Sequence, residues 1–202
     1  MNLFLWGALP YIAFTFLIVG TLVRFFYFER NWTTKSSEFL EKKQLRIANP
    51  LFHFGLLCVI GGHVVGVLVP KTWTAAMGIN DHMYHEGALY MGAVAGIIFI
   101  VGFLLLMKRR FTVPAMKVNT SGLDKWLYLF LTLAIFSGMA GTLLNASGFF
   151  DYRVSIGPWF RSLLSFMPDP SLMEGVPFMF KFHMLAWMVV AIIFHSAVWY
   201  TA

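Results

Sequence analysis

The sequence has little charge and almost no cysteine. Only 12% of its 202 residues are charged, and there is a single Cys. Soluble domains carry about 25% charged residues, so this composition excludes an ordinary soluble enzyme, a disordered chain and a nucleic-acid-binding domain. One Cys leaves no disulfide framework and no thiolate-held iron–sulfur cluster or structural zinc. Acidic residues are fewer than basic ones, nine against fifteen, for a formal net charge of +6. In a membrane protein that imbalance reports orientation rather than an anionic ligand. The sequence also lacks internal repeats and low-complexity tracts.

Apolar residues are abundant: 59% of the chain is hydrophobic and the mean hydropathy is +0.73. A core of this size cannot hide so much apolar surface, so a lipid bilayer is the expected solvent. A span needs about 20 mainly apolar residues. Five stretches qualify, at about 3–27, 50–69, 86–107, 126–145 and 178–200. The first lacks a basic leader and a small-residue cleavage site and ends in Arg24, so it reads as a retained helix. The expected fold is an all-α integral membrane protein, residues 1–202 forming one five-helix bundle.

Two connections hold most of the positive charge. Arg24, Arg30, Lys35, Lys42, Lys43 and Arg46 lie between the first and second spans. Lys108, Arg109, Arg110, Lys117 and Lys125 lie between the third and fourth. Positive loops stay inside, which puts the N-terminus outside and the C-terminus in the cytoplasm. Arg46, Arg109 and Arg110 read as topology-setting charge. The connection at about 146–177 carries Phe149, Phe150, Trp159, Phe160 and Phe166, and suggests an interfacial helix or lid.

Ionisable residues at membrane depth are rare and usually functional. Four of the six His fall inside spans: His53 and His63 on the second, His183 and His195 on the fifth. A lone buried His is commonly a satisfied core residue, but four on two helices point to ligation, and facing imidazoles can hold a haem iron axially. His53 and His63 are separated by about 15 Å along a helix, with His53 nearer the cytoplasm. His183 opens the fifth span at the depth of His63. Gly55, Gly61, Gly62 and Gly66 surround the second-span histidines. A macrocycle against the helix explains such a run, and so does close helix packing. His195 lies about 120° out of phase with His183. The position sharing the face of His183 and lying nearer the cytoplasm is Thr201.

These motifs resemble a known family. Leu51-Phe52-His53-Phe54-Gly55, continuing to Gly61-Gly62-His63-Val64-Val65-Gly66 and Pro70, is similar to the second helix of the respiratory nitrate reductase gamma subunit, a membrane dihaem cytochrome b. Asn31 to Ser37, Gly157-Pro158-Trp159-Phe160-Arg161, and Val176-Pro177 leading to Phe180-Lys181-Phe182-His183 are similar as well, in the manner of Gram-positive members. The resemblance implies that the protein oxidises a quinol, most simply menaquinol, near the outer face of the cell membrane. Electrons then pass through b haems to a cytoplasmic iron–sulfur beta subunit and a molybdenum alpha subunit that reduces nitrate. It assigns the distal haem iron to His63 and His183, with Gly62 and Gly66 beside it, and one proximal ligand to His53. The second proximal ligand falls at Thr201, where this chain has no His.

The ending from His195 to Ala202 departs from the family's Phe-Pro-Phe-Ser/Thr-Arg-Leu-Val-His. Restoring one C before the His195 codon permits Pro-Phe-Ser-Arg-Leu-Val-His, so a one-base deletion is the expected origin of the altered, truncated ending. Sequencing the gene across the Phe194 codon tests this. The family's quinol site has been tied to a Lys between the second and third helices, absent from the matching place here. His82, Tyr84 and His85 in that connection are chemically able to take a quinol proton; a solvated polar loop is the alternative. A homologous cytochrome b anchor of another respiratory reductase and a haem-free anchor remain the alternatives for the whole chain.

Overall fold

A computed structural model describes residues 2–27, 42–118 and 120–197. The Asn31–Ser37 motif, Arg30, Lys35 and Thr201 lie outside the described residues, as do the side chains of Arg24 and His195. A π turn over Phe4–Ala8 leads into α1 (Leu9–Tyr27). Helix α2 (Leu45–His63) runs directly into a second π turn, Val64–Leu68. A short α3 (Lys71–Ala76) precedes α4 (Asp81–Thr112). Then come α5 (Pro114–Val118), α6 (Gly122–Leu144), α7 (Ile156–Leu164) and α8 (Phe178–Ala197). No strand occurs among the described residues.

Four of these helical stretches are long and apolar enough to cross a membrane: Phe4–Val23, Leu45–Leu68, Asp81–Thr112 and Gly122–Leu144. The fifth expected span corresponds to α8, apolar over Phe178–Phe194, and its expected end near 200 lies outside the described residues. With 32 residues, α4 is about 48 Å long. That exceeds a hydrocarbon core of about 30 Å, so its polar ends have room to reach headgroup depth.

One boundary corrects the sequence reading. His82, Tyr84 and His85, expected in a connecting loop, stand on the first turns of α4. The Asn80 side chain accepts a hydrogen bond from the Met83 N–H at 2.8 Å, and Asp81 adds negative charge to the first turn. Both effects favour a helix N-terminus, so polar residues that look like loop begin the helix. A capping box starts α6: Ser121 Oγ accepts from the Asp124 N–H, and Asp124 Oδ2 accepts from the Ser121 N–H.

Helix α2 packs on α4, while α8 packs on both α6 and α1. The α2–α4 contact is backbone to backbone. A Cβ at Gly55 would stand 2.5 Å from the Phe99 nitrogen, and one at Gly102 would collide with the backbone of Phe52. Small residues thus let the helices approach where apolar burial gives little drive in lipid. Around this seam lies a core of Phe99, Phe103 and Ile135. A separate core joins α1, α7 and α8 through Trp6, Ala13, Trp159, Leu163, Met188 and Ala191.

The aromatic connection, expected to hold an interfacial helix or lid, contains a helix, α7, set between 3-10 turns at Tyr152–Val154 and Pro170–Met173. Its apolar face is buried: Trp159 is 2% exposed and donates Nε1–H to the Trp6 carbonyl at 2.8 Å. Tyr11 of α1 returns a hydrogen bond to the Leu163 carbonyl at 2.9 Å. Helix α7 is therefore fastened to the start of α1.

Candidate functional site

His63 and His183 meet. Their ring centroids are 6.0 Å apart and the planes are inclined by 32°. His63 Nδ1 lies 2.7 Å from the Val59 carbonyl, and His183 Nδ1 lies 2.9 Å from the Ala134 carbonyl. A carbonyl can only accept, so both protons sit on Nδ1 and both Nε2 atoms keep their lone pairs. Such carbonyl bonds are the usual way a ligating imidazole is oriented. An iron held between two imidazoles by bonds of about 2 Å places the ring centroids about 6 Å apart. The observed pair fits that requirement.

The surroundings also fit. Helices α2 and α8 do not pack along their lengths, and α2 is the least buried of the four long apolar stretches. A Cβ added at Gly61 or Gly62 would meet nothing within 4 Å. The glycines of α2 and its π turn therefore divide. Gly55 serves helix packing, Gly61 and Gly62 border open space next to His63, and Gly66 lies beneath Tyr152, where a Cβ would be 3.0 Å from the ring. Sequence reasoning missed Gly138. A Cβ there would stand 2.8 Å from His183 Cε1, so only glycine admits the imidazole in this position. Ser137 Oγ is 3.4 Å from the same Nδ1.

His53 shares the arrangement of His63: its Nδ1 is 2.9 Å from the Asn49 carbonyl, four residues back, leaving Nε2 unengaged. Among the described residues no three His, Cys, Asp or Glu side chains converge as a metal-binding group. The donors come as facing or single imidazoles, the number a macrocycle-bound iron needs.

Beyond the π turn lies a cleft of about 280 Å³, lined by Lys71, Asp81, Tyr84, His85, Gly148, Phe150, Asp151, Tyr152 and Arg153. Tyr84 and His85 of the expected trio line it. His82 is exposed on the same turn and does not. His85 Nε2 donates to the Ala146 carbonyl at 3.0 Å, which leaves Nδ1 as an acceptor. Gly148, at φ +72°, lies 3.4 Å from the His85 ring as measured from an added Cβ.

Sequence reasoning also missed the charges of this cleft. Lys71 Nζ pairs with Asp81 at 2.7 Å and Asp151 at 3.1 Å. Arg153, almost wholly buried, pairs with the same two carboxylates at 3.1 Å each. Its guanidinium also lies 3.8 Å from the centroid of the Tyr84 ring. Asp81 holds Lys71 above its ordinary pKa, with help from Asp151. Burial pushes the Asp151 carboxyl up, but hydrogen bonds from Arg153 and Lys71 outweigh it and leave the pKa lowered. Burial, and then Tyr84, raises Tyr152, which stays a neutral phenol. Two cations and two anions cancel, so the cleft suits a neutral ligand bearing hydrogen-bonding oxygens.

At the other end of α4, two arginines are drawn into the bundle. Arg109 is 3% exposed. Arg110 Nη2 pairs with Asp124 at 3.3 Å, and its guanidinium lies 5.9 Å from the Tyr128 ring centroid. This ties α4 to the capping box of α6.

Among the described residues, an all-helical chain with four membrane-length apolar helices and a facing His63–His183 pair has the build of a membrane subunit. The family model "Nitrate reductase gamma subunit" matches residues 2–196. The chain is 46% identical over 190 residues to the nitrate reductase gamma chain of Bacillus subtilis, covering 94% of this chain and 85% of that one. It is 27% identical over 196 residues to the respiratory nitrate reductase 1 gamma chain of Escherichia coli, covering 96% and 87%. It is also 38% identical over 183 residues to the nitrate reductase-like protein NarX of Mycobacterium tuberculosis, covering 89% of this chain and 28% of that protein. The chain belongs to the nitrate reductase gamma subunit family.

Proposed function

We propose that the chain is the quinol-oxidising cytochrome b subunit of a respiratory nitrate reductase. It crosses the plasma membrane five times, with the N-terminus outside and the C-terminus cytoplasmic. One observation carries the reading: two imidazoles 6.0 Å apart whose Nδ1 atoms are both engaged by carbonyls, so that both Nε2 atoms are free. Bound there, a b haem supplies a one-electron couple within the membrane. His63 and His183 would hold its iron, and Gly138 gives the His183 ring its place. His53 is the ligand this chain offers to a second, proximal haem, whose other ligand position is Thr201.

The charge-balanced cleft takes the quinol head, menaquinol being the expected form. Oxidation of a quinol releases two protons and two electrons. His85 accepts one proton at Nδ1, because Nε2 is committed to the Ala146 carbonyl, and the other leaves to water at the open mouth of the cleft. Tyr84 is held beneath Arg153 and gives the head a fixed hydroxyl partner. The partners that receive the electrons are the iron–sulfur beta subunit and the molybdenum alpha subunit, where nitrate is reduced.

The test follows b-haem reduction in the purified complex by a menaquinol analogue in stopped flow. Positioned general bases contribute about 10²–10⁴-fold, so His85→Ala is expected to slow reduction by quinol at least about tenfold. Reduction by dithionite stays unchanged. An unaltered quinol rate refutes the assignment of this cleft.

A further inference from the structure

The π turn Val64–Leu68 begins at the residue after His63, which is its N-cap. π turns are rare, and they are frequent at functional sites. This one ends the second apolar stretch, so its last carbonyls have no partner within the helix. One of them is satisfied from another element: Arg161 Nη1 of α7 donates to the Val67 carbonyl at 2.8 Å. A cation here also complements the negative end of the α2 dipole.

Gly157, one turn earlier on α7, makes room for this bond. A Cβ there would stand 3.1 Å from Arg161 Nη1 and 3.4 Å from the Val67 oxygen. Tyr152 covers the same turn from the loop before α7, its ring against Gly66. Helix α7 cannot drift, because Trp159 and Tyr11 fasten it to α1. His63 is therefore fixed from two sides. The Val59 carbonyl, one turn below, orients the ring. The Arg161 bond, one turn above, holds the backbone that carries it.

We propose that Arg161 is a positioning residue for the His63 ligand, acting through the Val67 carbonyl and the π turn. The inference rests on the haem reading given above. It assigns to the amphipathic helix a task beyond covering the outer end of the bundle: setting the ligand geometry of the His63–His183 centre.

The test uses the complete purified complex and the low-spin ferric EPR spectrum of its b haem, with a potentiometric titration alongside. Arg161→Met keeps the length of the side chain but removes the donors and the charge. It is expected to shift the g-values of the His63–His183 centre and lower its midpoint potential, since an adjacent cation is lost. Arg161→Lys, which keeps a donor and the charge, is expected to move both back towards the wild type. Should Arg161→Met fail to accumulate, Gly157→Ala crowds Nη1 without removing it and is expected to shift the signal in the same direction by less. Unchanged g-values in Arg161→Met, or in Gly157→Ala where that is the variant obtained, overturn the proposal. A shift that Lys does not reverse also overturns it, because that marks general disruption of α7. Absence of any b-type signal in the wild-type complex overturns the haem reading instead.

Discussion

Gly138→Ala probes the site through a residue that ligates nothing. The added methyl would stand 2.8 Å from His183 Cε1 and 3.1 Å from Nδ1. Carbon contacts prefer about 3.5–4.0 Å, so the ring must retreat by about 0.7 Å or more. The bond from Nδ1 to the Ala134 carbonyl, now 2.9 Å, is then stretched beyond the range of about 3.2 Å that good hydrogen bonds keep. Overpacking costs about 1–3 kcal/mol and the lost bond about 0.5–1.5 kcal/mol. Without haem the ring simply swings aside, so most of this cost, about 2–4 kcal/mol, falls on binding. At about 1.4 kcal/mol per tenfold, haem affinity should fall about 30- to 1,000-fold. The assay is the rate of haem transfer from the purified variant to an excess of apo-globin acceptor, with helix content by circular dichroism as the control for folding. Transfer at the wild-type rate from a folded variant refutes the placement of His183 in the site.

Three other outcomes follow from the packing and the ion pairs. Gly55→Ala should lower the thermal stability of the detergent-solubilised protein by about 1–3 kcal/mol. Gly61→Ala, in open space, should be neutral or stabilise by about 0.5–1 kcal/mol when both variants are compared in the haem-free protein; equal losses in both would contradict the division of glycines described above. Trp159→Phe leaves the Trp6 carbonyl without its donor and should cost about 1–3 kcal/mol, read as a lowered melting temperature. Asp151 has a lowered pKa, so its contribution is present above its unfolded value of about 3.9 and is lost as pH falls through the folded value. Lys71 has a raised pKa, so its contribution is present below about 10.4 and is lost as pH rises through the folded value. The melting-temperature difference between wild type and Asp151→Asn should therefore be small, worth about 1 kcal/mol or less. It should persist across neutral pH and vanish in acid; a difference unchanged in acid would exclude the ion-pair origin.

Four of the five expected spans were legible as long apolar helices, because a bilayer imposes a length and a polarity that composition reports directly. The pairing of His63 with His183 was legible too, since both sit at one depth on helices whose direction the basic loops suggest. The start of α4 was not, because Asn80 and Asp81 read equally well as loop and as helix cap until the Met83 N–H is seen to bond. The cleft charges were hidden for a different reason. Lys71 and Arg153 reach carboxylates 80 and 72 residues away in the chain, and no local pattern encodes such a pairing. Gly138 carried no signal at all: it is one small residue in an apolar run, and its role exists only because the His183 ring lies against it. The run of glycines in α2 and its π turn looked like one feature and proved to be three.

The central claim is that His63 and His183 together hold a b haem. The most direct measurement is a reduced-minus-oxidised optical spectrum of the purified nitrate reductase complex, taken for wild type and for His63→Ala at matched protein concentration. The account predicts b-type bands in the wild type and loss of the His63–His183 component in the variant. Bands of undiminished intensity in His63→Ala, or no b-type bands in the wild-type complex, would contradict it.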